Sequence, residues 1–245
     1  MFDQFPKTRP TLPPELAALH AACYKANREG ATPASALSLR MESWLHRQVA
    51  RDVTTDRSPK ATLEIGAGTL NQLRHEPVVG PYDIVEPDTA RYAGSREFAR
   101  VRQVYGDVAG IPRSNRYDRV TSIATLEHLT DLPRVVATVG LLLAPGGVLR
   151  VAIPSEGTPL WTLGWKLTTG LEFRLRHGLD YGLLMRHEHI NTAQEIEEVL
   201  AHFFARLECR VFGVSRYLSI YQFFACREPD LQRCEAFCRR GFSPD

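Results

Sequence analysis

The chain has 245 residues, a length that suits one large domain or one domain with an appendage. Its 44% hydrophobic and 24% charged content is that of an ordinary folded domain and excludes disorder, collagen-like repeats and coiled coil. A net charge of +2 gives no electrostatic footprint for nucleic acid, so no nucleic-acid partner is expected.

The N-terminal run Met1–Leu16 has no apolar signal core, and its first fourteen residues carry Pro6, Pro10, Pro13 and Pro14, which predicts an irregular arm. The most apolar stretches, 135–144 and 217–226, are half the ~20 residues that span a bilayer, so no stable membrane insertion is expected. Cys23, Cys209, Cys226, Cys234 and Cys238 show no zinc spacing, although the last two share a helix face. The expectation is reduced structural thiols in a cytoplasmic protein.

Two helices follow the arm. Glu15–Arg28 places Leu16, Leu19, Cys23 and Ala26 in one stripe, and Ala34–Val53 does the same with Leu37, Met41, Trp44, Leu45 and Val49. Residues 1–55 therefore read as a helical appendage, with Asp56–Lys60 as the linker to a main domain over 56–245. From residue 61 short apolar runs alternate with helix-length segments: 61–65, 82–85, 101–105, 120–124 and 148–153 as strands, and 132–143 as a helix. That rhythm predicts a parallel α/β sheet covered on both faces. Residues 154–187 break it with five glycines, two tryptophans and several arginines, and read as a lid-like insertion. Thr192 and Glu195 form a capping box for the next helix. Two strand-like runs, 207–214 and 217–226, then suggest an antiparallel pair before a short helix over 229–240.

The motifs sit at the carboxyl ends of the predicted strands, where open α/β sheets bind ligands. Leu63-Glu-Ile-Gly-Ala-Gly-Thr-Leu70 puts two glycines directly after the first strand. A dinucleotide fingerprint wants a further glycine at Asn71, and Glu64 would sit poorly beside a diphosphate; it suits a ligand bearing an ammonium group. Glu86 ends the second strand, where a carboxylate can accept both hydrogens of a ribose diol. Gly106-Asp107-Val108 ends the third, and Leu126-Glu-His-Leu129 follows the fourth. Taken singly, each carboxylate also has a plainer reading, as a strand-end, capping or turn residue.

Together these elements resemble the class I S-adenosylmethionine-dependent methyltransferases, of the small-molecule type, over roughly residues 61–155. The resemblance implies a Rossmann-like fold, a seven-stranded, mostly parallel sheet with an antiparallel last strand, plus N-terminal helices. It implies S-adenosylmethionine as cofactor. Glu64, Gly66, Ala67 and Gly68 would hold the methionine moiety, Glu86 the ribose, and Asp107 with Val108 the adenine, with Ala124 and Thr125 beneath the sulfonium. The departure is Leu70, where the family's third glycine would stand. The N-terminal helices ahead of Arg186-His-Glu-His-Ile-Asn191 are also similar to methyltransferases of bacterial surface-polysaccharide clusters, which implies a sugar or sugar-nucleotide acceptor, with Arg28 or Glu42 reaching toward the cofactor.

Methyl transfer to a hydroxyl benefits from a base near neutral pKa, a role for histidine. The candidates are His128, after strand four, and His187 and His189, ahead of the capped helix; His128 equally reads as a structural histidine. A metal at His187 and His189 lacks a recognisable third ligand, so none is expected. Arg174, Arg176 and Arg186 suit a phosphate or carboxylate on a small-molecule acceptor, or a solvated helix face. Rivals are a non-catalytic partner subunit that binds the cofactor, a nucleotide-dependent oxidoreductase, and an RNA methyltransferase, which the near-neutral charge disfavours. The acceptor, the atom methylated and the oligomeric state are not legible in the sequence.

Overall fold

The computed structural model describes residues 2–17, 19 and 33–239, with 33–40 by backbone alone. The expected helix Glu15–Arg28 lies mostly outside them, with Cys23 and Arg28. Helix α1 spans Pro33–Thr55. A seven-stranded sheet then forms in the order β3-β2-β1-β4-β5-β7-β6. Its strands are β1 (Thr62–Ile65), β2 (Tyr82–Val85), β3 (Gln103–Tyr105), β4 (Tyr117–Ile123), β5 (Leu143–Pro154), β6 (Phe204–Gly213) and β7 (Ser219–Pro229). Strands β1 to β5 pair in parallel, and β7 runs antiparallel to both β5 and β6. The expected seven-stranded Rossmann-like sheet with its antiparallel last strand is present. Every residue of β1 and β2 is buried, the charged Glu64 and Asp83 included, as central strands covered on both faces should be.

Helices α2 (Leu132–Leu142), α6 (Ala193–Phe203) and α7 (Leu231–Arg239) cover one face. Val136, Ala137, Ile196, Val199 and Phe203 join Leu63, Val120 and Val151 in one core. Cys234 and Cys238 do face inward together, as free thiols. On the other face, Leu45 and Val49 of α1 pack with Ile123, Val148, Ala152 and Phe223. Helix α1 is thus seated on the sheet across the linker Asp56–Lys60. The insertion is helical: α3 (Pro159–Trp165) runs through a π-turn at Lys166–Gly170 into α4 (Leu171–His177), and α5 (Tyr181–Glu188) follows. The hairpin loop is longer than the two residues expected, because β6 and β7 pair from Phe204 with Pro229 to Gly213 with Ser219.

Candidate active site

Because β1 to β4 are parallel, their carboxyl ends open on one edge of the sheet. The chain reverses direction of winding between neighbours β1 and β4, which leaves a crevice there. Gly66 leaves β1 with φ +70°, a left-handed conformation that glycine adopts without cost, and a Cβ there would overlap the Thr125 side chain. Thr125 follows β4 and donates through Oγ1 to the carbonyl of Ile123 at 3.0 Å. Gly68, at φ +52°, donates its N–H to Glu86 Oε2 at 2.8 Å. Glu86 Oε1 accepts the Asp88 N–H at 3.0 Å, so the carboxylate is held while each oxygen keeps lone pairs for a ligand. Leu70 stands in the left-handed region, at φ 62°, with its side chain fully buried. The apolar anchor takes over a position that glycine would fill by conformational freedom alone.

Glu64 is 3% exposed, with the Tyr82 hydroxyl donating to its Oε2 at 2.8 Å. Burial pushes its carboxyl up to about 8, the Tyr82 bond opposing and nearby Glu76 and Glu86 reinforcing. A carboxyl in that state is completed by a cation rather than by an anion. The cavity beside it is lined by Glu64, Gly66, Gly68 and Gln72, with Glu42 and His46 added from α1. Asp107 ends β3 and caps the next turn by accepting the Ala109 N–H at 2.7 Å, with Val108 buried behind it. Ala124 sits at φ 47° where β4 turns out of the sheet.

A second group of residues gathers beyond Thr125. The turn Leu126–His128 is tied to the segment after α5: the backbone N–H groups of Ile190 and Asn191 donate to the Glu127 carbonyl at 2.9 and 3.1 Å. Asn191 Nδ2 donates to the carbonyls of Leu126 and Leu129 at 2.9 and 2.7 Å. These bonds bring His128 and His189 edge to face, with ring centroids 4.9 Å apart. His128 Nδ1 lies 2.8 Å from the Glu188 carbonyl oxygen and His189 Nδ1 lies 2.7 Å from Glu156 Oε2. Trp161 Nε1 also donates to Glu156 Oε2 at 2.7 Å, and the Trp161 ring stacks with His189 and meets Tyr221 at a tilt of 53°. Burial opposes charge on His128, but the hydrogen bond to Glu188 and the Glu127 and Glu188 carboxylates raise its pKa above the ordinary histidine value. The His189 hydrogen bond holds Glu156 below the usual glutamate value against its burial.

The structure brings His128 and His189 together and places His187 apart from them, with its Nδ1 2.7 Å from the Pro10 carbonyl. Glu127, His128 and His189 each present one donor atom within 4.8 Å of the others, a grouping different from the His187 and His189 pair of the sequence. Glu127 and Glu156 were not singled out because their partners come from distant segments; the adjacency of Glu127 to His128 was the available signal. Arg174, Arg176 and Arg186 are exposed, and Arg176 is paired with Glu172 at 3.1 Å.

A sequence profile described as a methyltransferase domain matches residues 34–203. The chain belongs to this methyltransferase family. Uncharacterised methyltransferases of Mycobacterium bovis and Mycobacterium tuberculosis are 27% identical to it over 141 residues, 54% of this chain and 71% of theirs. Among solved structures, the plantazolicin methyltransferase BpumL in complex with a monoazolic desmethylPZN analogue and S-adenosylhomocysteine aligns with a TM-score of 0.58 at 11% identity, over 88% of this chain and 91% of that one. The N-methyltransferase NodS of Bradyrhizobium japonicum, bound to the same product, aligns with a TM-score of 0.52 at 14% identity, over 81% and 89% of the two chains. These structural likenesses are of fold. The profile match begins inside α1, in agreement with the packing of that helix on the methyltransferase sheet. S-adenosylmethionine is the cofactor of this methyltransferase, and the crevice fits it: a glycine turn in which Gly66 leaves no room for a Cβ, and a buried carboxyl suited to an ammonium group. The oxidoreductase reading falls with this assignment. Among the described residues no helix is long and apolar enough to cross a membrane.

Proposed function

We propose that this methyltransferase acts on an oxygen of a small polar acceptor of sugar or sugar-nucleotide type. Glu64, Gly66, Ala67 and Gly68 hold the methionine end of S-adenosylmethionine, Glu86 the ribose, and Asp107 with Val108 the adenine. Ala124 and Thr125 line the floor toward the second residue group. When bound, the cofactor supplies a methyl group already activated by its positive sulfur. The chain has to align the acceptor, exclude water and make the acceptor oxygen nucleophilic.

The observation that carries the reading is the state of the two imidazoles. A carbonyl oxygen only accepts, so His128 keeps its hydrogen on Nδ1, and His189 does the same toward the ionised Glu156. A ring held in this way presents its Nε2 to the crevice, and in its neutral form the Nε2 lone pair suits an acceptor that must lose a proton. Hydroxyl acceptors have that need more than amines, which attack through a lone pair once neutral. Of the three arginines, Arg186 lies on the helix that leads to His189 and is the candidate for an acceptor phosphate.

The test is methylation of a panel of sugars and sugar nucleotides followed by mass spectrometry, beside calorimetric titration with S-adenosylhomocysteine and with NADH as control. We expect binding of the former near one equivalent, no binding of NADH, and an O-methylated product. His189→Ala should cut turnover ~100-fold with cofactor binding unchanged. An N- or C-methylated product, or full activity in that variant, overturns the reading.

A further inference from the structure

We infer that Glu127, His128 and His189 form a binding site for one divalent transition-metal cation of the zinc, iron or cobalt type. Three independent features converge on it. First, the donor atoms of the three side chains already lie within 4.8 Å of one another. Metal–ligand bonds of about 2.0–2.2 Å require each donor to close by less than ~1 Å, within the reach of side-chain adjustment.

Second, both histidines are held as metal-ligating histidines are. Each commits Nδ1 to an oxygen, the Glu188 carbonyl for His128 and the Glu156 carboxylate for His189, which fixes the tautomer and leaves Nε2 as the ligating nitrogen. Glu156 is itself fixed by the Trp161 indole N–H. The supporting shell of a metal site is thus complete in the protein alone.

Third, Glu127 is 1% exposed, and its Oε2 has no hydrogen-bond partner. The nearest imidazole nitrogen, His128 Nε2, is 3.9 Å from Oε1, too far for a hydrogen bond. An unpartnered buried carboxylate oxygen is costly, and a cation between it and the two Nε2 atoms removes that cost. A further carboxylate stands beside the group, with Glu188 Oε2 3.4 Å from His128 Nδ1.

Two imidazoles and one carboxylate suit a borderline first-row ion and leave coordination positions open. Those positions would take the acceptor. With both Nε2 lone pairs on the cation, the imidazoles would no longer act as bases; a bound hydroxyl would instead lose its proton to solvent near neutral pH, and its oxygen would bond to the methyl carbon as the methyl–sulfur bond breaks and S-adenosylhomocysteine leaves. This role rests on the methyl-transfer reading above; the site itself does not.

The experiment is a Co2+ titration of the chelator-treated, full-length protein, followed by visible absorption, with no cofactor or acceptor present. We expect one equivalent of Co2+ bound with the d–d bands of nitrogen and oxygen ligation, displaced by Zn2+. Glu127→Gln and His189→Ala should each weaken Co2+ binding by at least 10-fold, and the positioning variant Glu156→Gln by about 10-fold. S-adenosylhomocysteine binding in the same preparations shows that the variants remain folded. If they do not bind it, broadening of the His128 and His189 ring signals by Co2+ in the unmodified protein decides instead. No stoichiometric Co2+ binding, binding indifferent to Glu127→Gln and His189→Ala, or rings that Co2+ leaves sharp overturns the site. Failure of every acceptor to be methylated leaves the metal result untouched, and loss of the metal site leaves cofactor binding untouched, so the two readings fail separately.

Discussion

Glu64 carries a pH signature. Its carboxyl is raised by burial to about 8 from an ordinary 4.5, so at neutral pH the cofactor-free protein holds a proton there. The unfolded chain holds none above its own pKa, so this group stabilises the fold fully at low pH, and that contribution is lost as pH rises toward about 8. Cofactor binding runs the other way. An ammonium group beside Glu64 favours the carboxylate, so binding releases close to one proton near pH 7. Affinity for S-adenosylhomocysteine should rise about tenfold per pH unit up to about 8. Calorimetry in buffers of different ionisation enthalpy measures the proton directly, and Glu64→Gln should abolish both effects. The two glycines next to it separate cleanly. Gly66→Ala meets the Thr125 side chain and a left-handed backbone, whereas a Cβ at Gly68 has no atom within 4 Å. Thermal denaturation should therefore show a clearly larger loss for Gly66→Ala, since left-handed strain of ~1–2 kcal/mol is common to both.

Helix α1 is bound to the sheet by buried arginines as well as by Leu45 and Val49. Arg119, on β4, is 0% exposed and pairs with both oxygens of Glu76 at 2.9 and 2.7 Å. It also donates to the Val49 carbonyl and reaches Asp52 at 3.1 Å. Arg150, on β5, donates to the carbonyls of Val49 and Gln48. Gln72 extends the network, bonding to Glu76 at 2.7 Å and to His46 at 2.8 Å. The network runs from helix to sheet to the turn that lines the cofactor cavity. Removing one member leaves the others charged and buried, so Arg119→Ala should cost ~3–5 kcal/mol in urea denaturation. Replacing Arg119 and Glu76 together by apolar residues should cost much less, which separates the stranded charge from lost packing.

The N-terminal arm packs against the His128 and His189 group, where we propose that the acceptor binds. Arg9 donates to the carbonyl of His128 at 2.6 Å and to those of His187 and Glu188 at 2.9 and 3.3 Å. Lys7 donates to the Ile190 carbonyl at 2.8 Å and pairs with Glu195 at 2.6 Å. One guanidinium thus joins the two segments that present His128 and His189. Arg9→Ala should lower kcat ~10–100-fold, as small displacements of reacting groups do, with the S-adenosylhomocysteine dissociation constant unchanged. Steady-state kinetics beside calorimetry reads both values.

How much was legible follows from the range of each interaction. The strands, the capping box at Thr192 and the glycine turn were readable because burial, capping and left-handed turns act over a few residues. The cofactor side is legible for the same reason: each carboxylate stands beside the end of its own strand, and parallel pairing brings those ends to one edge. The proposed acceptor side is assembled from residues 7–9, 127–128, 156–161 and 187–191, brought together by side-chain and backbone hydrogen bonds that span up to 183 positions. No local pattern pairs Glu156 with His189 or Glu127 with both imidazoles. His187 and His189 look equivalent in the chain, yet the end of α5 turns one to the arm and the other to the cluster. Local chemistry thus specified the sheet and the edge that takes the cofactor; the grouping of Glu127, His128, Glu156 and His189 was set by folding, because those contacts exist only once distant segments are packed.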